Sequence, residues 1–132
     1  MKRNEIIDKL KKYNLDSTRY IVISGAAMVL YGIKEETPDI DISVDISLGK
    51  ELLNNYDAKI EKINNDGTKT YIINDELNFG INYYTENKGY IEDIPVQTVE
   101  DILFLKQMLN REKDKKDIEL IKSISKTKHP NY

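Results

Sequence analysis

The 132-residue chain contains no cysteine and a single histidine, His129, close to its C-terminal end. The first absence removes disulfides, thiolate metal sites and cysteine nucleophiles; the second removes most zinc chemistry and every triad built on an imidazole base. No apolar run approaches the roughly 18 residues that a membrane span needs. The N-terminal stretch Met1 to Asp8 passes from Lys2 and Arg3 straight into an amphipathic pattern, without the apolar segment of a secretory leader. No membrane role is expected, and the chain reads as cytoplasmic. What remains for chemistry is carboxylate, lysine, arginine, hydroxyl and backbone, a set that suits a hard cation such as Mg²⁺ better than a transition metal.

The length and the balance of 39% hydrophobic to 33% charged residues are those of one ordinary domain with one core, so residues 1–132 are expected to form a single domain. The net charge of −3 is unevenly spread: residues 102–132 carry eight Lys/Arg against four Asp/Glu, the rest twelve against nineteen. A basic end of this kind faces phosphate or RNA, or is simply a solvated helix face.

Ile6, Ile7 and Leu10 recur at helical spacing between Asn4 and Tyr13, and the run Tyr20 to Ile23 is a buried strand. Gly25 interrupts, and Ala26 to Tyr31 reads as a short apolar helix stopped by Gly32. Ile40 to Val44 alternates as a second strand, and Leu48 to Tyr56 returns to a helical pattern. Lys59–Ile63 and Thr70–Ile73 are strand candidates around the turn signal Asp66-Gly67, and Leu77, Phe79, Ile81 and Tyr83 alternate in a third segment. Thr98 opens a helix to Arg111 and Asp114 one to Ile124, each with acids in its first turn. The tail from Lys126 reads as loose. The expected fold class is α+β: a mixed sheet flanked by helices, with helices at the C-terminal end.

Two features carry chemistry. Asp39 and Asp41 lie two apart on an alternating strand, so both carboxylates leave the face opposite Ile40, Ile42 and Val44. Their Cα atoms stand roughly 6.7 Å apart, close enough to share a cation, whereas Asp45 lies about 13 Å beyond Asp41. Taken alone, solvated acids on an exposed strand explain the pair equally well. Upstream, a buried strand ends in Ser24-Gly25 before a helix, a junction that offers backbone N–H groups to an anion and that also serves as an ordinary tight turn and cap. A phosphate cradle and a carboxylate pair together are what a nucleotide–Mg²⁺ complex needs.

Ile23-Ser24-Gly25-Ala26-Ala27-Met28-Val29-Leu30-Tyr31-Gly32 followed by Thr37-Pro38-Asp39-Ile40-Asp41-Ile42 resembles the signature of the DNA polymerase β-like nucleotidyltransferase superfamily. It is most similar to the minimal bacterial branch that includes abortive-infection toxin and antibiotic nucleotidyltransferases. Lys106 and the segment Arg111-Glu112-Lys113-Asp114-Lys115-Lys116-Asp117 match a later motif of that branch. The resemblance implies that Ser24 and Gly25 hold nucleotide phosphates, with Thr37 beside them. It also implies that Asp39 and Asp41 bind Mg²⁺, and that Lys106, with Arg111 or Lys113, offsets triphosphate charge. Catalysis is then expected of Asp39, Asp41 and Lys106. Read from the residues themselves, the late cluster is also explained as a charged helix hairpin stabilised by Asp114 and Asp117 at its start, and Lys106, among Leu103, Leu105 and Leu109, has the setting of a solvated lysine.

The chain departs from that pattern twice. Glu35 stands where many members have arginine, and Asn82 stands where many have a third carboxylate, so the expected metal set is Asp39, Asp41 and Asn82. An amide oxygen can coordinate a cation but cannot act as a general base. Two readings follow: transfer of a nucleoside monophosphate from an NTP to a hydroxyl of RNA, protein or a small molecule, or a degenerate fold kept for nucleotide binding or protein interaction. Acceptor recognition would come from a partner chain or a homodimer.

Overall fold

The computed structural model describes residues 1–81 and 88–126. Among them five α-helices and seven strands follow the order α1 (Arg3–Tyr13), β1 (Tyr20–Ile23), α2 (Ser24–Leu30), β2 (Ile40–Val44), α3 (Ile46–Asn55), β3 (Lys59–Ile63), β4 (Lys69–Ile73), β5 (Leu77–Ile81), β6 (Lys88–Ile91), β7 (Ile94–Gln97), α4 (Val99–Leu109) and α5 (Lys115–Lys126). The strands form one mixed sheet in the order β3-β4-β5-β2-β1-β7-β6. β2 runs parallel to β5 and β1 parallel to β7, and the remaining pairs are antiparallel. The expected α+β class, a mixed sheet flanked by helices, is what the chain adopts. No helix among the described residues is long and apolar enough to cross a membrane.

The period of two along the strands separates a core face from a polar one. Val22, Ile42, Phe79 and Tyr71 stand opposite one another on successive strands, and Phe79 stacks on Tyr71 with ring centroids 5.3 Å apart. Ile6, Ile7 and Leu10 of α1, Ala26 to Leu30 of α2 and Leu48 and Leu52 of α3 belong to the same core. Each large side chain buried there contributes roughly 1.5–3 kcal/mol. One residue out of phase, Ile23, Asp41 and Asn78 form the corresponding row on the other face. The alternation that buries Ile40, Ile42 and Val44 therefore aims Asp41 away from the core.

The helix boundaries have local causes. α1 ends at Asn14 and α4 at Asn110, both left-handed (φ 51 and 46), with N–H groups returning to Leu10 and Lys106 carbonyls. Asp45 caps α3 by accepting from the Leu48 N–H at 2.7 Å, and Thr98 caps α4 by accepting from Asp101. The Asp66-Gly67 hairpin is a three-residue loop: Gly67 donates back to the Asn64 carbonyl and only Gly67 is left-handed, the arrangement of a type I turn with a glycine bulge. The last helix differs in its start, since a 3₁₀ turn over Glu112–Asp114 precedes α5. The hairpin β6–β7 was not expected. Its turn residues Glu92 and Asp93 are both left-handed (φ 47 and 67) without the asparagine or glycine that usually marks such a turn, and Pro95 breaks the strand pattern.

Candidate nucleotide and metal site

Asp39 precedes β2 and Asp41 is its second residue, so the alternating strand sets both carboxylates beside β5. Asn78, opposite Asp41 in the parallel register, donates from Nδ2 to Asp39 Oδ2 at 3.1 Å. The same amide lies near enough to Asp41 to favour its ionised form. Desolvation, with the nearby Asp39 charge second, pushes the Asp41 carboxyl up to about 6, against a partial opposing pull from that amide. The Glu61 carboxylate adds to the rise and Lys106 counters it. Asp41 is thus held ionised near neutral pH at a cost, which a bound cation would relieve.

A cavity of about 480 Å³ opens over this face. Asp41 and Asn78 line one side, Ser24 and Ile23 lie at the end of β1, and Arg111 and Lys113 come from the turn after α4. Glu61, Lys62 and Thr70 from the β3–β4 hairpin complete it. Glu61 falls where the β3–β4 register shifts between Ile60 and Lys62, a bulge of the kind that re-aims a side chain. A smaller cavity of about 210 Å³, lined by Ile102, Leu105, Leu109 and Lys106, shares Ile23, Ser24 and Arg111 with it.

Ser24 takes φ 58, a left-handed conformation that costs a non-glycine residue about 1 kcal/mol. Its N–H donates at 3.1 Å to Oε1 of Gln97, itself buried and fixed by donation to Asp101. The Ser24 N–H, one of the groups expected to be open at that turn, is therefore spent within the protein. The helix cap is Ile23 and no side chain caps it, so Ser24 lines the cavity instead of closing the helix. Gly25 has another reason to be glycine: a β-carbon there would stand 2.9 Å from Thr37 Oγ1. Thr37 is buried, packed against Gly25 and not part of the cavity lining.

Lys106 is not the solvated lysine its leucine-rich neighbours suggested. Its side chain is 8% exposed, with Nζ 3.4 Å from Asp114 and 3.3 Å from Asp117. Asp114 also receives Arg111 through Nε at 2.7 Å and Nη2 at 3.1 Å, and the Arg111 guanidinium holds its carboxyl below the usual range. Lys34 meets Asp117 at 3.3 Å. The late motif is thus a buried ion network that ties α4 to α5 and sets Arg111 at the cavity wall. Lys113 is exposed on the same wall.

Asn82 lies outside the described residues. Among those described, no group of three or more histidines and carboxylates is gathered as a metal cage. The sequence reading missed Asn78, Glu61 and Gln97 as site residues. Asn78 was detectable, since the alternation of Leu77 to Tyr83 puts it on the polar face with Asn82; Glu61 depends on a bulge and Gln97 on a tertiary contact, and neither leaves a local mark.

No protein-family model matches the chain, and no curated protein matches it. Among solved structures, it superposes on the crystal structure of ANT(2'')-Ia in complex with adenylyl-2''-tobramycin with a TM-score of 0.54 and 14% identity. That match covers 89% of this chain and 84% of that one. JHP933 from Helicobacter pylori matches with a TM-score of 0.49 and 19% identity over 79% of this chain. The match takes in 54% of JHP933, so this chain spans about half its length. The chain therefore shares the fold of ANT(2'')-Ia.

Proposed function

We propose that this chain binds an NTP with Mg²⁺ at the cavity over Asp41 and transfers its nucleoside monophosphate to a hydroxyl acceptor, releasing pyrophosphate. The observation that carries this reading is Asp41, raised to about 6 beside Asp39 and lining a cavity that Arg111 and Lys113 also line. The likeness in fold to ANT(2'')-Ia supports it, and so does the resemblance of the sequence around Ser24-Gly25 and Asp39-x-Asp41 to the minimal bacterial branch that includes toxin nucleotidyltransferases.

The residues fit the metal. The donors are all oxygen, from Asp39 and Asp41, and a buried amide oxygen on Asn78 has no hydrogen-bond partner. When bound, Mg²⁺ supplies charge neutralisation and polarisation of the attacking and leaving oxygens. The chain's own residues do the rest. Asp39 and Asp41, at the start of the central strand β2, would hold the cation, Arg111 and Lys113 would offset triphosphate charge, and Ser24 would lie beside the phosphates. Lys106 acts through Asp114, which fixes Arg111. Glu61, which also lines the cavity, would accept the acceptor's proton. The acceptor itself, RNA, protein or small molecule, is presented by a partner chain or a second copy.

The experiment is incubation with each α-labelled NTP and Mg²⁺, followed by measurement of pyrophosphate and of label on RNA, protein and small hydroxyl compounds. Pyrophosphate release in the parent and none in Asp41→Asn is expected. A second reading, a degenerate fold retained for nucleotide binding, is favoured by the absence of a third acid on the described part of β5. It is upheld if NTP binds with Mg²⁺ and no label moves to any acceptor.

A further inference from the structure

We infer that Asn78 is the third member of the cation site: its amide N–H holds Asp39 beside Asp41 without metal, and its oxygen turns to the cation when one binds. This rests on the Mg²⁺–NTP reading above. Asn78 stands opposite Asp41 in the β2–β5 register, donates to Asp39 at 3.1 Å and lines the cavity. It is 8% exposed, and its Oδ1 is buried without a hydrogen-bond partner. A buried acceptor left unpaired costs about 1–3 kcal/mol, so an amide arranged in this way is incomplete unless something else supplies the missing partner.

The amide has two faces of opposite polarity. With N–H groups toward the carboxylates, it does part of what a cation does, drawing two like charges together. Rotation about its terminal torsion exchanges the two ends and presents oxygen, a suitable ligand for a hard cation, beside the same carboxylates. The site is thereby stable without metal, carries two formal negative charges instead of three, and must give up the amide hydrogen bond to load. It binds Mg²⁺ more weakly than a three-carboxylate site would, and loads most readily when the cation arrives with nucleotide.

The test is titration of the whole chain with Mg²⁺ alone by calorimetry, together with the melting temperature without metal, for the parent, Asn78→Asp, Asn78→Leu and Asp41→Asn. Asn78→Asp should tighten Mg²⁺ tenfold or more and lower the metal-free melting temperature. Asn78→Leu, of similar volume and without either polar end, should weaken Mg²⁺ at least tenfold. Unchanged Mg²⁺ affinity in Asn78→Leu, while Asp41→Asn abolishes binding, overturns the role of Asn78 alone. Unchanged affinity in Asp41→Asn overturns the cation site itself. If Asn78→Leu does not fold, Asn78→Asp decides: a tighter site upholds the inference, and an unaltered one overturns it.

Discussion

Gly25 and Thr37 are in contact so close that a β-carbon at position 25 would lie 2.9 Å from Thr37 Oγ1. Thr37 is not free to retreat. Its N–H donates to the Met1 carbonyl at 3.0 Å, and the Met1 amine donates to its own carbonyl. The glycine in the Ser24-Gly25 turn is therefore required by packing, whatever it does for a ligand. Gly25→Ala should destabilise the fold by about 1–3 kcal/mol through overpacking. Thr37→Ala added to it should recover much of the loss, a coupling that a double-mutant cycle by urea unfolding measures directly. Additive effects of the two changes would show that the contact is not the cause.

Asp41→Asn should stabilise the metal-free protein, because the folded state holds this carboxyl at about 6 against an ordinary 3.8. A raised folded value means that the ionised form is penalised by folding. That penalty is fully present above about pH 6 and fades as the pH falls toward 3.8. The variant should gain roughly 2–3 kcal/mol at pH 8 from a shift of this size and close to nothing at pH 4. Urea midpoints of parent and variant across that range, without divalent cations, check it; a gain independent of pH would contradict the electrostatic cause.

Much of this arrangement is legible in the sequence, and the parts that are not share one cause. Asp39 and Asp41 are found from a period of two, β1 and β2 from their β-branched runs, and the Thr98 cap from its own residue pattern, because each signal is local. Lys106 could not be read in the same way. Its neighbours in sequence are leucines, and its partners Asp114 and Asp117 come from the following turn and α5. Gln97 takes up the Ser24 N–H across 73 residues of chain, a contact that no local pattern signals. The β6–β7 hairpin fails for a different reason: Glu92 and Asp93 adopt left-handed conformations their residue types seldom signal.

Lys106→Met should cost about 3 kcal/mol, since it leaves two carboxylates, 2% and 11% exposed, without a shared cation. Arg111 still serves Asp114 and Lys34 still serves Asp117, so the fold should survive. Nucleotide affinity should fall only as far as Arg111 is displaced. Chemical denaturation beside nucleotide titration separates the two effects: a large loss of affinity with unchanged stability would make Lys106 a direct phosphate ligand instead.

The proposed function has Asp39 and Asp41 bind nucleotide through Mg²⁺ beside the cavity lined by Asp41, Arg111 and Lys113. Its most direct measurement is calorimetric titration of the whole chain with non-hydrolysable analogues of the four NTPs, with Mg²⁺ and with EDTA, on the parent and on Asp41→Asn. The account predicts binding of at least one analogue that requires Mg²⁺ and is lost in Asp41→Asn while that variant stays folded. Equal affinity in the parent and the variant, or binding that EDTA leaves unchanged, would contradict it.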